Sequence, residues 1–102
     1  MIRVRIERDA TGRIQGFDAK GHAGAGPRGN DIVCAAVSVL TDSVFLGLDR
    51  HLHRAMEWGA NSGDISVRLK DAPDDMTEAI LTTMVLGLTE IQKKYPDKLR
   101  IL

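Results

Sequence analysis

The sequence predicts an α+β fold in which two helices pack on one face of a mainly antiparallel sheet, in the order β-β-α-β-β-α-β. Two kinds of periodicity carry this prediction. Short segments alternate apolar and polar residues, as half-buried strands do, and two longer segments repeat apolar residues at helical spacing. The predicted strands cover residues 2–7, 13–19, 56–60, 64–70 and 99–102, and the predicted helices cover 32–51 and 75–94. At 102 residues, the chain is expected to form one domain, 1–102.

The N-terminal segment predicts a β-hairpin. Ile2, Val4 and Ile6 alternate with charged residues, and residues 9–12 read Asp-Ala-Thr-Gly, which is typical turn chemistry. The second strand, 13–19, alternates imperfectly but has the right length to pair with the first.

Residues 21–30 predict a mobile loop. The segment reads Gly-His-Ala-Gly-Ala-Gly-Pro-Arg-Gly-Asn, with glycines at Gly21, Gly24, Gly26 and Gly29. Four glycines and a proline in ten residues exclude regular structure. The loop also lacks a large apolar side chain that could hold it against a core.

The two helices have recognisable apolar faces. The first repeats apolar residues at Val33, Ala36, Val37, Leu40, Val44 and Leu48, and its other faces are apolar enough to predict cover on more than one side. In the second, the predicted core stripe is Met76, Ile80, Met84, Leu88 and Ile91. Asp75 with Glu78 resembles a capping box, and Pro96 blocks continuation of the helix.

Composition narrows the classes of protein. Lys and Arg number 14 and so do Asp and Glu, so the net charge gives no sign of a partner such as nucleic acid. Cys34 is the single cysteine, which excludes an internal disulfide and favours a reducing compartment. No signal peptide is recognisable, and even the most apolar stretch, 32–48, is interrupted by polar residues, so we expect no membrane span and a cytoplasmic location.

Four residues could do chemistry together. If Asp31 caps the first helix, Cys34 is the third helical residue, where free N–H groups and the helix dipole favour a thiolate nucleophile and can hold an oxyanion. The Asp31 carboxylate disfavours a thiolate unless it stabilises a protonated His22. Because His22 begins a glycine-rich loop twelve residues before Cys34, the chain could fold back and let the imidazole act as general base and acid. Ser38 lies one turn after Cys34 on the same helix face.

These residue types alone do not establish a catalytic site. A cysteine on an apolar helix is commonly a small core residue, and a histidine in a polar loop is commonly a surface residue. Residues 24–29 match G-x-G-x-x-G, but a dinucleotide-binding motif should follow a buried parallel strand immediately and needs a larger domain. His51 and His53 lack the spacing of a zinc site, so no metal or other cofactor is expected.

The combination of motifs resembles one family. Gly21-His22-Ala23-Gly24, a short glycine-containing gap and then Gly-Asn-Asp-Ile-Val-Cys-Ala-Ala-Val-Ser over residues 29–38 are similar to the ribosomal-processing cysteine protease family, Prp. The similarity continues through the opening strand and the second helix to Tyr95-Pro96, and covers practically the whole chain.

The resemblance implies a specific activity. Members of the family remove a short N-terminal extension from large-subunit ribosomal protein twenty-seven, cutting after a pair of aromatic residues, and form homodimers. The catalytic pair would be His22 and Cys34, Asp31 and Ser38 would support them, and the loop of Gly21, Gly24, Gly26 and Gly29 would cover the substrate. Two other functions stay open: a noncatalytic ribosome-associated binding module, and a redox sensor that uses Cys34 with a partner thiol.

Overall fold

The computed structural model describes residues 1–24, 26 and 31–102 and confirms the predicted order of elements. The strands are β1 (Ile2–Arg8), β2 (Ile14–Lys20), β3 (Met56–Asn61), β4 (Asp64–Leu69) and β5 (Leu99–Ile101). The helices are α1 (Ile32–Leu46), which a π-helical turn at Gly47–His51 prolongs, and α2 (Asp75–Lys94). Each boundary lies within a residue or two of the prediction, apart from the change to π-helical geometry inside the first predicted helix.

The five strands form one sheet in the order β3-β4-β2-β1-β5. All neighbours are antiparallel except β1 and β5, which run parallel, so the expectation of a mainly antiparallel sheet is confirmed. The pairing of β2 with β4 has a consequence for function. It sets Lys20 opposite Asp64, and thereby brings the turn between β3 and β4 beside the residues that follow β2.

The turn between β1 and β2 forms as predicted. The Asp9 carboxylate accepts hydrogen bonds from the Thr11 amide at 2.9 Å and the Thr11 hydroxyl at 2.6 Å. Gly12 has a φ of +88°, which a side chain would strain. The pairing of β1 with β2 is irregular between Glu7 and Arg8, and this β-bulge explains why β2 alternates imperfectly.

The core lies between the helices and the sheet. In α1, the buried positions are Val33, Val37, Thr41 and Val44, and in α2 they are Thr77, Leu81, Met84 and Leu88. The predicted stripe of α2 was therefore wrong at Met76, whereas Ile80 and Ile91 are partly buried against the core. Met76 is 57% exposed, whereas Leu81 is fully buried. From Met76 to Leu88, the predicted stripe advances by four residues at every step. Because an α-helix has 3.6 residues per turn, one face requires steps of both four and three, and the buried residues 77, 81, 84 and 88 have that spacing.

The N-terminus of α2 also differs from the prediction. The helix is capped by Asp74, whose carboxylate accepts hydrogen bonds from the amides of Met76 and Thr77, and the Thr77 hydroxyl accepts one from the Asp74 amide. This is a capping box one residue earlier than predicted. Asp75 and Glu78 contact the residues around the start of β2 instead. Asp75 forms an ion pair with Arg13, and Glu78 accepts a hydrogen bond from the Ile14 amide.

The first helix remains partly uncovered within the chain. Ile32 is 62% exposed and Val39 is 64% exposed, so the expected cover on more than one side is not provided by the described residues. The expectation that no stretch is long and apolar enough to span a bilayer was wrong by the criterion of length and composition. Ile32–His51 has 20 residues and is long and apolar enough by length and composition. Its polar residues are outweighed by valine, leucine and isoleucine.

Candidate active site

Cys34 lies in the first turn of α1, as predicted. The Asp31 carboxylate accepts hydrogen bonds from the amides of Val33 at 3.0 Å and Cys34 at 2.9 Å, so Asp31 is the N-cap of the helix. Aspartate suits this position because its oxygen satisfies amides that have no partner inside the helix. The cap places the half-buried Cys34 side chain at the positive end of the helix dipole.

A backbone amide from the preceding segment meets the sulfur of Cys34. The Ala23 amide donates a hydrogen bond to Sγ at 3.2 Å, and this donor stabilises negative charge on the sulfur. The side chain of Ala23 is only 4% exposed and packs in the core. The segment has no large apolar side chain, but the single methyl group of Ala23 is small enough to enter the core and holds the first residues of the predicted loop there.

Residues 21–23 are each held by one hydrogen bond. The Gly21 amide donates to the carbonyl oxygen of Gly63 at 2.8 Å, and the carbonyl oxygen of His22 accepts from the Met1 amino group at 2.8 Å. Together with the bond from Ala23 to Cys34, these contacts fix the backbone on both sides of His22. The imidazole itself is exposed and, across the part of the chain that the structure describes, makes no hydrogen bond.

The ring of His22 lies directly against Gly63 in the turn between β3 and β4. A Cβ atom built on Gly63 would be 2.6 Å from Nε2 and 2.7 Å from Cε1 of the imidazole. Real Cβ atoms essentially never approach a neighbour so closely. Only a glycine at this position leaves the imidazole the place that it occupies.

His22, Cys34 and Ser38 line one open cavity of about 600 Å³. One wall is the first three turns of α1, and the other is the turn at 61–63 with the start of β4. Apolar side chains from β1, β2 and α1 form part of its lining, including Ile2, Ala19 and Val37. Ligand sites typically have volumes of about 300–1,000 Å³ and combine an apolar lining with a few polar groups, and this cavity has those properties.

Only some of the predicted site residues line the cavity. His22, Cys34 and Ser38 share the cavity, whereas Asp31 acts as the helix cap. Among the loop glycines, Gly21 lines the cavity, Gly24 has a φ of +66° and Gly26 is exposed. Gly29 lies outside the described residues.

Sequence reasoning missed the contribution of the turn at 61–63. Asn61, Ser62 and Gly63 all line the cavity, although they are separated from His22 by about forty positions in the chain. The sequence Asn-Ser-Gly signals a turn, but only the pairing of β2 with β4 shows what the turn faces. Within the residues that the structure describes, no group of three or more His, Cys, Asp or Glu could hold a metal ion.

The fold and the cavity define a class: a small α+β protein that presents one thiol at a helix N-terminus and one imidazole in the same cleft, as a thiol-dependent hydrolase does. The comparison with known proteins makes this specific. Residues 1–100 match the family model described as Cysteine protease Prp, and the chain belongs to this family of cysteine-type peptidases.

Individual relatives agree with this assignment. The chain is 34% identical over 104 residues to the ribosomal processing cysteine protease Prp of Staphylococcus aureus, covering 99% of this chain and 97% of that one. It is 25% identical over 107 residues to the protein of that name in Bacillus subtilis, covering 99% and 96%. The crystal structure of the S. aureus protease with a covalently linked product peptide has a TM-score of 0.92 at 27% identity, covering 99% of this chain and 97% of that chain.

Proposed function

We propose that this chain is a cysteine endopeptidase that removes the N-terminal extension of large-subunit ribosomal protein twenty-seven and so supports ribosome assembly. The observation that carries the proposal is the hydrogen bond from the Ala23 amide to the Cys34 sulfur at a helix N-terminus, with His22 lining the same cavity. The relatives with which the chain aligns from end to end are named for ribosomal processing. Structures of the S. aureus protease with a substrate peptide and with a covalently linked product peptide support a peptide substrate and a covalent step.

The proposed reaction begins with transfer of the Cys34 thiol proton to His22. The thiolate attacks the scissile carbonyl carbon, and amides of the first turn of α1 stabilise the negative charge on the carbonyl oxygen of the tetrahedral intermediate. Protonated His22 gives its proton to the departing amine, which leaves a thioester on Cys34. His22 then takes a proton from water, the water oxygen attacks the thioester, and the carboxylate product and the free thiol are released.

Asp31 and Ser38 have supporting roles in this proposal. Asp31 keeps the first turn of α1 intact, and therefore keeps Cys34 and its neighbouring amides in position. Ser38 is exposed in the cavity one turn after Cys34, where its hydroxyl can bind the substrate backbone or a water molecule. The thiol chemistry needs no cofactor and a reducing environment, so we place the enzyme in the cytoplasm.

We further propose that the active species is a homodimer that pairs the helix layers of two chains. Val39, Leu46 and Leu86 on the two helices are exposed by 64%, 38% and 63%. Between α1 and α2 lies an open apolar groove of about 490 Å³, lined by residues that include Leu40 and Ile80. A second copy would cover this surface with an equally apolar one in a closed two-fold pair.

The dimer can be tested by sedimentation equilibrium with Leu86→Glu. This variant introduces a charge at an exposed position of the helix layer, so we expect it to be monomeric and folded. Glu90→Gln, on the same helix and exposed, is the control that should stay dimeric. If the wild type is a monomer at micromolar concentration, the proposed dimer is wrong, but the peptidase assignment is unaffected.

The central experiment is intact-mass analysis of the extended ribosomal protein after incubation with enzyme. Wild-type enzyme should remove the N-terminal segment, whereas Cys34→Ala and His22→Ala should leave the protein whole while retaining the wild-type circular dichroism spectrum. If the wild-type enzyme leaves this protein whole although iodoacetamide labels Cys34, the substrate assignment is wrong. If Cys34 is also inert to iodoacetamide, the thiol is not a nucleophile and a noncatalytic binding role replaces the peptidase.

A further inference from the structure

The turn between β3 and β4 makes two separate contacts with the segment that carries His22. The carbonyl oxygen of Gly63 accepts a hydrogen bond from the Gly21 amide at 2.8 Å, one residue before His22. In addition, the α-carbon of Gly63 faces the imidazole so closely that a methyl group there would lie 2.6 Å from Nε2. One contact holds the backbone before His22 and the other limits where its ring can go.

We infer that Gly63 is a positioning residue for His22, an inference that rests on the peptidase function proposed above. The imidazole is exposed, and none of the described residues gives it a hydrogen bond that would orient it. Its orientation instead comes from the flat surface that a glycine offers in the cavity wall opposite α1. The imidazole rests on Gly63 and is kept in the cavity that holds Cys34.

The expected consequence of adding a side chain follows from the contact distances. The nearest ring atom must withdraw from 2.6 Å to at least the 3.4 Å at which ordinary van der Waals contact begins. The histidine ring is the free end of a mobile side chain, so we expect it to move while the strands stay in place. A misplacement of about 1 Å at a reacting group can lower the rate by about 100-fold.

Backbone strain must be separated from the contact with His22, because Gly63 has a φ of +74°. Gly12 offers a matched control: it lies in the other β-hairpin turn, has a φ of +88°, and a Cβ atom there would meet nothing within 4 Å. Gly12→Ala therefore carries a comparable backbone strain without a collision. Gly63→Asn is the complementary variant, because asparagine tolerates a positive φ but still places a Cβ atom against the imidazole.

The test compares kcat and KM for peptide cleavage by the wild type, Gly63→Ala, Gly63→Asn and Gly12→Ala. Both Gly63 variants should lose about 100-fold in kcat, with KM and the thermal unfolding temperature close to those of Gly12→Ala. The imidazole NMR signals of His22 should shift in the Gly63 variants and not in Gly12→Ala.

Two results would overturn the inference: Gly63 variants as active as Gly12→Ala, or Gly63 variants that fail to fold while Gly12→Ala folds. Failure of the underlying peptidase function would show differently. In that case the wild type itself would not cleave the peptide, whereas failure of the present inference alone would leave the wild type and both Gly63 variants active and His22→Ala inactive.

Discussion

Replacement of Asp31 by alanine tests how the start of α1 supports both stability and catalysis. One oxygen of the carboxylate accepts hydrogen bonds from two amides, those of Val33 at 3.0 Å and Cys34 at 2.9 Å. Loss of an aspartate cap costs about 1 kcal/mol of stability, with a range of about 0.5–2 kcal/mol. For a chain of this size, that corresponds to a fall of roughly 4–8 °C in the thermal unfolding temperature.

The activity should fall for the same structural reason. In Asp31→Ala, the first turn of α1 can fray, and Cys34 then loses its fixed position beside the Ala23 amide. We therefore expect kcat/KM to fall together with stability. Asp31→Asn is the matched control, since asparagine caps helices about as well as aspartate but carries no charge.

The test measures urea unfolding and peptide cleavage for the wild type, Asp31→Ala and Asp31→Asn. The expected result is that Asp31→Asn has nearly wild-type stability and Asp31→Ala does not. Equal stability of Asp31→Ala and the wild type would refute the argument that these two hydrogen bonds hold the start of the helix. If Asp31→Asn is stable but inactive, the charge of Asp31 is needed in addition to its cap, as stabilisation of a protonated His22 would require.

Three further predictions concern acid stability, the cavity and the core. The hydrogen bond from Arg54, followed by that from the Thr77 amide, lowers the pKa of Asp74 below its ordinary value of 3.8. The stability that Asp74 contributes is therefore fully present above pH 3.8 and is lost as the pH falls through the lower pKa of the folded state. Arg54→Gln should consequently lose less of its resistance to urea below pH 4 than the wild type does. An unchanged dependence of urea resistance on pH would contradict this. Ser38→Ala should lower kcat/KM less than His22→Ala does, measured by peptide cleavage, and a larger loss would make the hydroxyl essential. Leu81→Ala, at a fully buried position, should cost about 2–5 kcal/mol in urea unfolding, and a cost below 1 kcal/mol would show that the site collapses around the lost atoms.

The elements of this protein were predictable because their signals are local. Alternation over residues 2–7 and 64–70 and helical periodicity over 75–94 reflect which face of each segment is buried, and neighbouring residues carry that information. The predicted bounds of α2 agree with the structure at both ends. The cap was misplaced by one residue because two adjacent aspartates, Asp74 and Asp75, can each cap a helix. Their partners in space, Thr77 and Arg13, decide between them.

The sequence by itself determined the chemical components of the candidate site: one thiol at the start of an apolar helix, a capping carboxylate and an imidazole at the head of a glycine-rich loop. Only the tertiary structure decided what surrounds them. Which amide reaches the Cys34 sulfur depends on how the segment after β2 packs against α1, and it is that of Ala23. The wall on which the His22 ring rests comes from Gly63, about forty residues further along the chain. Strand pairing between β2 and β4 brings these groups together, and hydrogen-bond register between distant segments has no local signal in the sequence.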